Sequence, residues 1–520
     1  QTAFSKYYFQ TGRAFQPNFD NKKSILDIEF RRYVLATYAR DLGIDRDARS
    51  RHFYGMMQRK AWAEEYLNRE VLADVQVSDS DTRELFRRYN TRLRASHLYA
   101  PDKKTADSLY QLIQDGIAFE KLAEDVFNSR YLAQNGGDLG FFTVDEMDIA
   151  FENAAFNMNV GDISSPVKTE QGYSIIRLDF KKTIPIITEY QYASQKHQLE
   201  SLAYNRNIEL ATRKHLEQTV YAINIDDRVI EKLWSDVSSN RSIFLTEGIE
   251  TENFEALTDM NKDLILAEYG SFQFTLEDFL KEAYFTPAES RSRIYTGYRF
   301  NNFVKGLIYR SYIIDEFKKS PHFHDPTVQE SIDFTFYGYL NRRVTEHLRE
   351  TIQVSRNELM QEYFKNQEMY DYPLRLNLAR LVVDNQDLAH EILDKLKSGE
   401  AWSELLQKHT LLNQDLNVDG EMGMRVINEL GVHATKVLDM EKNDYRGPFE
   451  YHLPGQWVIF KAIDRDEPRP ANFEEVIDLV EDVVREEKIN RQRKQIIDEV
   501  KEQHGAVLYL EKLENLTLKL

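Results

Sequence analysis

The sequence predicts an α+β fold in which two compact α/β modules are embedded in extended helical arms. Hydrophobic residues make up 42% and charged residues 29% of the 520 residues, while glycine and proline are scarce, which is typical of a folded and largely helical protein. A single hydrophobic core seldom grows beyond about 250–300 residues, so a chain of this length should contain several domains. An internal repeat then places one module in each half of the chain.

The repeat begins with a helix-start signal. Val77-Ser78 and the amphipathic run to Asn90 recur as Val354-Ser355 and the run to Gln367. In both copies a serine precedes the helical pattern, as expected for an N-cap. Farther on, His97, Gly116 and Gly140 correspond to Arg380, Gly399 and Gly423 at a constant offset of 283, and Pro166 corresponds to Pro448. So constant an offset indicates duplication of a whole folding unit.

Each repeat consists of a helical lead-in, a compact module, a proline-containing joint and a long charged helix. The joints are Lys182–Pro185 and Asp466–Pro470, and the helices after them run roughly from Glu189 to Thr219 and from Phe473 to His504. The predicted domains are a helical region 1–90, a first module 91–183, a helical linker 184–372, a second module 373–465 and a C-terminal helix and tail 466–520.

We expect the duplication to extend backwards into the helical segments 26–76 and 303–353. Aromatic residues make up 12% of the chain, and two interpretations of them remain open: ordinary helix packing, or an adhesive surface for other polypeptides. The aromatic residues considered are Phe285, Tyr295, Tyr298 and Phe300.

Charge and cysteine content exclude several classes of function. The net charge of −19 repels phosphate backbones and anionic lipid headgroups, so neither nucleic acid nor a membrane surface is an expected partner. The absence of cysteine excludes disulfides, thiolate nucleophiles and cysteine metal sites. No apolar stretch approaches the roughly 20 residues of a spanning helix. The start at Gln1 fits a removed secretory signal, or a lipid-bearing residue lost just upstream.

The most informative motifs lie in the first module. They are Ser96-His97, Gly136-Gly137-Asp138-Leu139-Gly140, Met147-x-x-x-Phe151-Glu152 and Gly161-Asp-Ile-Ser-Ser-Pro166-Val. The glycine cluster could suggest a phosphate cradle, but no Lys-Ser/Thr follows it. A tight turn with positive φ, which places Leu139 and Phe142 against the core, is the better interpretation.

At these residues the chain resembles the parvulin family of peptidyl-prolyl isomerases over about 90 residues. The resemblance implies a small antiparallel sheet with surrounding helices, catalysis without metal or cofactor, and a proline pocket on Leu139, Met147 and Phe151 with Phe142 beside them. It also implies a polar network containing His97 and Thr169. Spacing alone would assign Met147 and Phe151 to ordinary core, because they lie four residues apart in a helical pattern.

Two positions depart from the family pattern. Arg130 stands where many parvulins have a cysteine or aspartate facing the substrate, and Ser174 stands where they have a second histidine. The second module departs further: Arg380 replaces the histidine, Glu421-Met422-Gly423 replaces Asp-Leu-Gly, and Trp457 replaces Ser174. We therefore expect any isomerase activity in the first module only, with the second kept for binding or architecture.

The overall arrangement is similar to that of SurA-like periplasmic chaperones. This resemblance implies secretion to the periplasm, with unfolded exported or outer-membrane β-barrel proteins as partners. Two hypotheses follow: a foldase that isomerises X-Pro bonds, or a holdase or subunit of an assembly or secretion complex that binds without catalysis.

His322, His324 and Asp325 could offer metal ligands, but no third site lies at a useful spacing, so no metal is expected.

Overall fold

The computed structural model describes residues 18–184, 188–246, 254–411, 419–451 and 455–514. The fold is α+β, as the sequence predicts. The chain divides into two compact units, one formed by the described residues up to Val344 together with those from Val500 onward, the other by Thr345–Glu499. Among the described residues, no helix is long and apolar enough to cross a membrane.

The first unit opens with three capped helices. They are α1 (Phe19–Asp41), α2 (Ala48–Tyr66), which is followed by a π-helical turn at Leu67–Val71, and α3 (Asp79–Tyr89). The start of α3 at Ser78 confirms the predicted signal: the Ser78 hydroxyl accepts the Asp81 N–H at 3.1 Å, and the Asp81 carboxylate accepts the Ser78 N–H at 3.0 Å.

The first module follows directly. Its elements are β1 (Thr91–Ala100), α4 (Lys103–Gln114), α5 (Phe119–Val126), α6 (Arg130–Gln134), β2 (Asp138–Phe142), α7 (Ile149–Asn157), β3 (Val167–Thr169) and β4 (Gly172–Thr183). The four strands form an antiparallel sheet in the order β2-β1-β4-β3. β1 is a central strand, and its side chains pack against helices: Leu93 lies in one core cluster with Phe151 of α7, and Leu98 lies in another with Phe119 of α5. Pro185 of the predicted joint lies outside the described residues.

A long helix and a second small domain follow the first module. The elements are α8 (Glu189–Ala222), β5 (Asn224–Ile225), α9 (Asp227–Ser239), α10 (Arg241–Phe244), β6 (Ile265–Tyr269), β7 (Phe272–Thr275), α11 (Leu276–Tyr284), α12 (Ala288–Ser292), α13 (Gly297–Lys319) and α14 (Pro326–Thr351). The sequence predicts only helices here, but β5, β6 and β7 form an antiparallel sheet. The Gly270-Ser271 turn between two apolar runs was the available hairpin signal.

The aromatic residues of the helical arms mostly pack against protein. Phe300 is buried in the core around the three-stranded sheet, and Phe285 packs against the same core beneath the Arg59 guanidinium. Tyr298 is half-buried, whereas Tyr295 is exposed. Packing therefore accounts for most of these side chains.

The second unit repeats the topology of the first module. Its elements are α15 (Arg356–Lys365), β8 (Arg375–Val383), α16 (Gln386–Lys397), α17 (Trp402–His409), β9 (Glu421–Val426), α18 (Ala434–Val437), β10 (Tyr445–Glu450), β11 (Trp457–Asp466) and α19 (Ile477–Gln503), whose last turns belong to the first unit together with α20 (Glu511–Glu514). The strand order β9-β8-β11-β10 matches β2-β1-β4-β3. A second capping box starts α15, where the Ser355 N–H donates to Glu358.

Backbone contacts confirm the duplication residue by residue. The His97 N–H donates to the Gly137 carbonyl, and the Arg380 N–H donates to the Gly420 carbonyl, both at 2.9 Å. Both glycines have a φ above 70°, and a Cβ on either would collide with the carbonyl oxygen of its donor residue. Only glycine fits this close approach of two chain segments.

Strand register corrects one predicted correspondence. His97 lies opposite Ile176 in the first sheet, and Arg380 lies opposite Phe460 in the second. Two residues earlier along the returning strand, Ser174 corresponds to Val458, which is fully buried. The assignment of Trp457 to this position was wrong by one residue, and a shift of one residue places a side chain on the other face of a sheet.

A buried ion pair ties the first module to α8. The Arg206 guanidinium donates to a Glu152 carboxylate oxygen at 2.8 Å, and both side chains are almost completely buried. The other carboxylate oxygen accepts the backbone N–H groups of Glu146 and Met147, at 3.0 and 3.1 Å. One side chain thus fixes α7, the loop before it and the long helix.

Replacing Arg206 should weaken the first module selectively. In Arg206→Met the Glu152 carboxylate stays buried without its cation, and breaking a buried pair in this way typically costs about 3–5 kcal/mol. We expect faster opening of the module in hydrogen–deuterium exchange at rising urea, measured on peptides from β1 and β4. The exposed pair of Arg83 and Glu189 supplies the control, since Arg83→Met should leave this exchange nearly unchanged. Identical exchange in wild type and Arg206→Met would show that the Glu152–Arg206 pair does not stabilise the first module.

Candidate functional site

A cavity of about 440 Å³ opens on the first module between the sheet, α7 and α8. Six residues predicted from the sequence line it: His97, Leu139, Met147, Phe151, Thr169 and Ser174. The remaining lining residues are Tyr99, Asp145, Asp148, Ile149, Glu170, Gln171 and Glu209. Residues distant in the sequence therefore meet in one concave site of the size usual for ligand pockets.

One wall of the cavity is apolar. Leu139 reaches it from β2, Met147 from the loop before α7, and Phe151 from the first turn of α7. Asp148 caps this helix by accepting the backbone N–H groups of Ala150 and Phe151. The cap fixes the direction in which the Phe151 ring enters the cavity.

Phe142 supports this wall from behind. Its side chain is 1% exposed and does not line the cavity. The ring meets Phe151 edge to face with the centroids 5.9 Å apart. Its contribution is thus to hold Phe151 in place, while Leu139, Met147 and Phe151 supply the surface that a ligand would contact.

The opposite wall is polar but largely desolvated. His97 lies in the middle of β1, and its Nδ1 is 3.4 Å from the Ser174 hydroxyl on β4. Burial lowers the pKa of His97 from the ordinary 6.5 to about 4, so the imidazole is neutral at neutral pH. The buried Thr169 hydroxyl donates to the Gly172 carbonyl at 3.2 Å. These groups offer hydrogen bonds without a net charge.

Arg130 is the one predicted polar residue that the structure does not bring to the cavity. It is the first residue of α6, its side chain is exposed, and it is absent from the cavity lining. The motif alignment placed it by sequence order, whereas the short helix directs it elsewhere.

The sequence pattern missed several lining residues. Tyr99 lies two residues after His97 on the same strand, and the period of two along a strand could have identified it. Its hydroxyl donates to the Gln171 carbonyl at 2.9 Å. Glu209 lies on α8, outside the module, and no local signal in the sequence connects it with the cavity.

In the second unit, the corresponding positions pack against one another. The Arg380 guanidinium donates to the Tyr451 hydroxyl at 2.6 Å. His433 is buried, lies edge to face with Phe460, and stacks with Phe449 and Tyr451. An aromatic cluster therefore stands where the first module has its cavity wall.

Of the two histidines before α14, His322 lies against an arginine, and the His324 ring lies against Phe323. His322 Nδ1 is 3.3 Å from the Arg69 guanidinium, which also contacts Asp325 at 3.4 Å. Across the part of the chain that the structure describes, no group of three or more His, Asp or Glu side chains could hold a metal ion.

Comparison with known families agrees with this geometry. One family model, described as a PPIC-type PPIase domain, matches residues 96–179, and another model of the same description matches residues 354–478. The foldase protein PrsA of Geobacillus sp. (strain WCH70) is 38% identical over 112 residues, which are 22% of this chain and 41% of that protein. PrsA of Oceanobacillus iheyensis is 32% identical over 167 residues, 32% of this chain and 53% of that protein. The chain thus spans about half or less of the length of these relatives.

Solved structures show similarity over part of the chain. The crystal structure of PrsA from Bacillus anthracis is 26% identical, covers 30% of this chain and 69% of its own, and has a TM-score of 0.22. A structure from Campylobacter jejuni, described with PEB4 and Cj1289 as SurA-like chaperones, is 17% identical, covers 40% of this chain and 84% of its own, and has a TM-score of 0.25. From the two family matches and the duplicated sheet, the chain contains two parvulin-type, or PPIC-type, peptidyl-prolyl isomerase domains.

Proposed function

We propose that the first module is a peptidyl-prolyl isomerase that acts on unfolded polypeptides. The observation that carries this proposal is the cavity in which an apolar wall of Leu139, Met147 and Phe151 faces a neutral imidazole. A prolyl ring is apolar, whereas the bond to be rotated is polar, so a site with one wall of each kind matches the substrate.

The required chemistry is rotation about a single bond. Resonance in the peptide bond sets a barrier of about 18–20 kcal/mol, and this resonance is lost in the twisted form. Leu139, Met147 and Phe151 would hold the ring, so that rotation moves the residue before the proline. His97 and Ser174 would offer hydrogen bonds to the amide as its charge distribution changes. Interactions that strengthen only in the twisted form lower the barrier, and no covalent step is needed.

At the level of the whole chain, we propose a foldase or chaperone of exported proteins. The similarity to proteins named foldase supports this reading, and unfolded exported polypeptides, including outer-membrane β-barrel proteins, would be the clients. The proposed location is the periplasm.

Binding without catalysis is the second candidate function. Ser174 stands in place of a second histidine, and the second module carries Arg380 and an aromatic cluster where the first has its cavity. These features favour a holdase, or a subunit of an assembly or secretion complex, that uses both modules as interaction surfaces.

Substitutions in the apolar wall should reduce isomerisation. Truncating a side chain that buries apolar ligand surface costs about 1.5–3 kcal/mol, or roughly tenfold to a hundredfold in kcat/KM. We expect such a loss in Met147→Ala and Phe151→Ala, measured with a chromogenic proline tetrapeptide. Phe141→Ala is the matched control, because Phe141 lies on the same strand as Leu139 but is exposed and outside the cavity.

The same measurement separates the two candidate functions. A wild-type rate equal to that of buffer alone would contradict the isomerase proposal. If wild type and Phe151→Ala then suppress client aggregation equally, binding without catalysis is the function. If neither delays aggregation and neither co-purifies with a membrane complex, both candidates are wrong.

Catalysis should be insensitive to pH across the neutral range. The pKa of His97 is depressed to about 4, so its neutral form persists as the pH falls through 6.5, and protonation begins only as the pH approaches 4. We expect kcat/KM to stay flat between pH 8 and about 5.5 and to decline below that. His97→Asn, which lacks the imidazole, shows which part of the decline belongs to His97. An inflection near pH 6.5 in wild type that is lost in His97→Asn would mean that the imidazole is solvated.

The same shift makes folding depend on pH. Between about 4 and 6.5 the unfolded chain binds a proton at His97 that the folded chain excludes, so stability decreases as the pH falls through this window. The isomerisation rates should therefore be measured only at pH values at which hydrogen–deuterium exchange shows that the module is folded.

A further inference from the structure

A second, larger cleft adjoins the proline cavity. It encloses about 1400 Å³ and shares three lining residues with the cavity, namely Thr169, Glu170 and Glu209. Its floor is the C-terminal half of α8, and its sides come from β3, β5 and α13. The cleft is also lined by charged and aromatic side chains, among them Lys168, Arg213, Glu217, Tyr221, Asp227 and Lys305. Within the first unit, the two spaces thus lie next to each other and share part of one wall.

The sides of the cleft suit an extended polypeptide. β3 is the last strand of the four-stranded sheet, and β5 is the last strand of the three-stranded sheet. Residues of both strands line the cleft. An edge strand presents backbone N–H and C=O groups that an extended segment can pair with, whatever its side chains.

Most charged groups of the cleft are already paired. Lys168 contacts Glu217 at 2.8 Å, and Lys305 contacts Asp227 at 3.3 Å. Arg213 lies 3.7 Å from Asp148, whose carboxylate also accepts backbone N–H groups. The interior of the cleft therefore has little unbalanced charge.

The wall shared with the cavity differs from the rest of the cleft because its two carboxylates, Glu170 and Glu209, have no ion-pair partner among the described residues. Within the described residues, neither Glu170 nor Glu209 has a cationic group within ion-pair distance. Partial burial, together with the charges of Glu170 and Asp148, raises the pKa of Glu209, and the more distant charges of Arg213 and Arg206 offset this shift only in part. A cation placed here would relieve this repulsion.

We propose that the cleft holds the continuation of the polypeptide whose proline occupies the cavity, and that Glu170 and Glu209 favour lysine or arginine beside that proline. The proposal rests on the proposed proline-binding function of the first module. Its occupant is an extended, unfolded segment that carries a basic residue. The shared wall of the two spaces, the two strand edges and the carboxylates of Glu170 and Glu209 support it.

The length of α8 along the cleft sets the number of residues that the bound segment needs. Glu209 at the junction and Tyr221 at the far end of the cleft are twelve positions apart on α8. At 1.5 Å per residue this is about 18 Å, a distance that an extended chain covers in five or six residues. A segment shorter than this cannot reach Tyr221 from the cavity.

Site-specific photo-crosslinking in the full chain tests the path. Tyr221→p-benzoylphenylalanine places the probe at a cleft residue that is 94% exposed, and Tyr190→p-benzoylphenylalanine places it at a residue that is 83% exposed, on the same helix but outside the cleft. Biotinylated peptides with one Lys-Pro-Lys core carry tails of two or eight residues on both sides. We expect labelling at position 221 only with the long tails, and at least about tenfold above labelling at position 190.

Three outcomes would contradict the proposal that a peptide bound in the cavity continues into the cleft. Labelling at 221 that does not depend on tail length means that the cleft binds by itself. Equal labelling at 190 and 221 means a non-specific surface. Equal labelling by a peptide with alanine in place of proline means that cleft and cavity are not joined.

The charge preference is tested by binding, which does not require catalysis. By fluorescence anisotropy at low salt, a Lys-Pro-Lys peptide should bind about fivefold more tightly than a Gln-Pro-Gln peptide, the size expected for partly exposed charge pairs. Glu170→Gln and Glu209→Gln should each reduce this ratio. Glu200→Gln is the control, since Glu200 lies on α8 away from the cavity and faces Lys196.

Equal affinity of wild type for the two peptides would overturn the charge preference. That result leaves the proline site standing if the peptides are bound and isomerised. Failure of wild type to bind either peptide would instead contradict the proposed function together with the inference that rests on it.

Discussion

The arrangement of the site depends on one buried ion pair, between Glu152 and Arg206. Two charges removed from water are tolerated only when their hydrogen-bonding capacity is used, and here the free carboxylate oxygen binds the backbone of the loop that carries Met147. Arg206 also fixes α8, one turn of helix before Glu209. The same contact therefore positions an apolar wall of the cavity from one side and a carboxylate of the shared wall from the other.

The two modules show how one backbone can carry different surfaces. The close approach of strand and turn, which requires glycine at 137 and 420, is the same in both. What differs is the side chain on the central strand. His97 is short and neutral and leaves room beside it, whereas Arg380 extends to Tyr451 and joins an aromatic cluster. The fold and the site are thus specified by different residues of the same motif, so the side chains at the site can change while the sheet is kept.

Local signals in the sequence predicted much of this structure. Serine caps and glycines with positive φ depend on neighbouring residues, and the structure confirms both. The constant offset between the repeats is likewise confirmed, since the two sheets have the same strand order. The failures concern long-range geometry. Trp457 was assigned one residue out of register because strand pairing is set by the partner strand. Arg130 was placed by its order in the motif, although a short helix directs it away from the cavity. Glu209 comes from a helix beyond the module, so only tertiary packing brings it to the site.

We propose that the cavity of the first module binds proline and that the second module does not. Hydrogen–deuterium exchange of the full chain, with and without a saturating Lys-Pro-Lys peptide, tests it directly. We expect slower exchange in segments 139–151 and 169–176 and no change in segments 421–437 and 456–462, because Arg380, His433 and the aromatic side chains around them pack against one another in the second unit. Equal protection of both sets of segments, or protection of the second set alone, would contradict it.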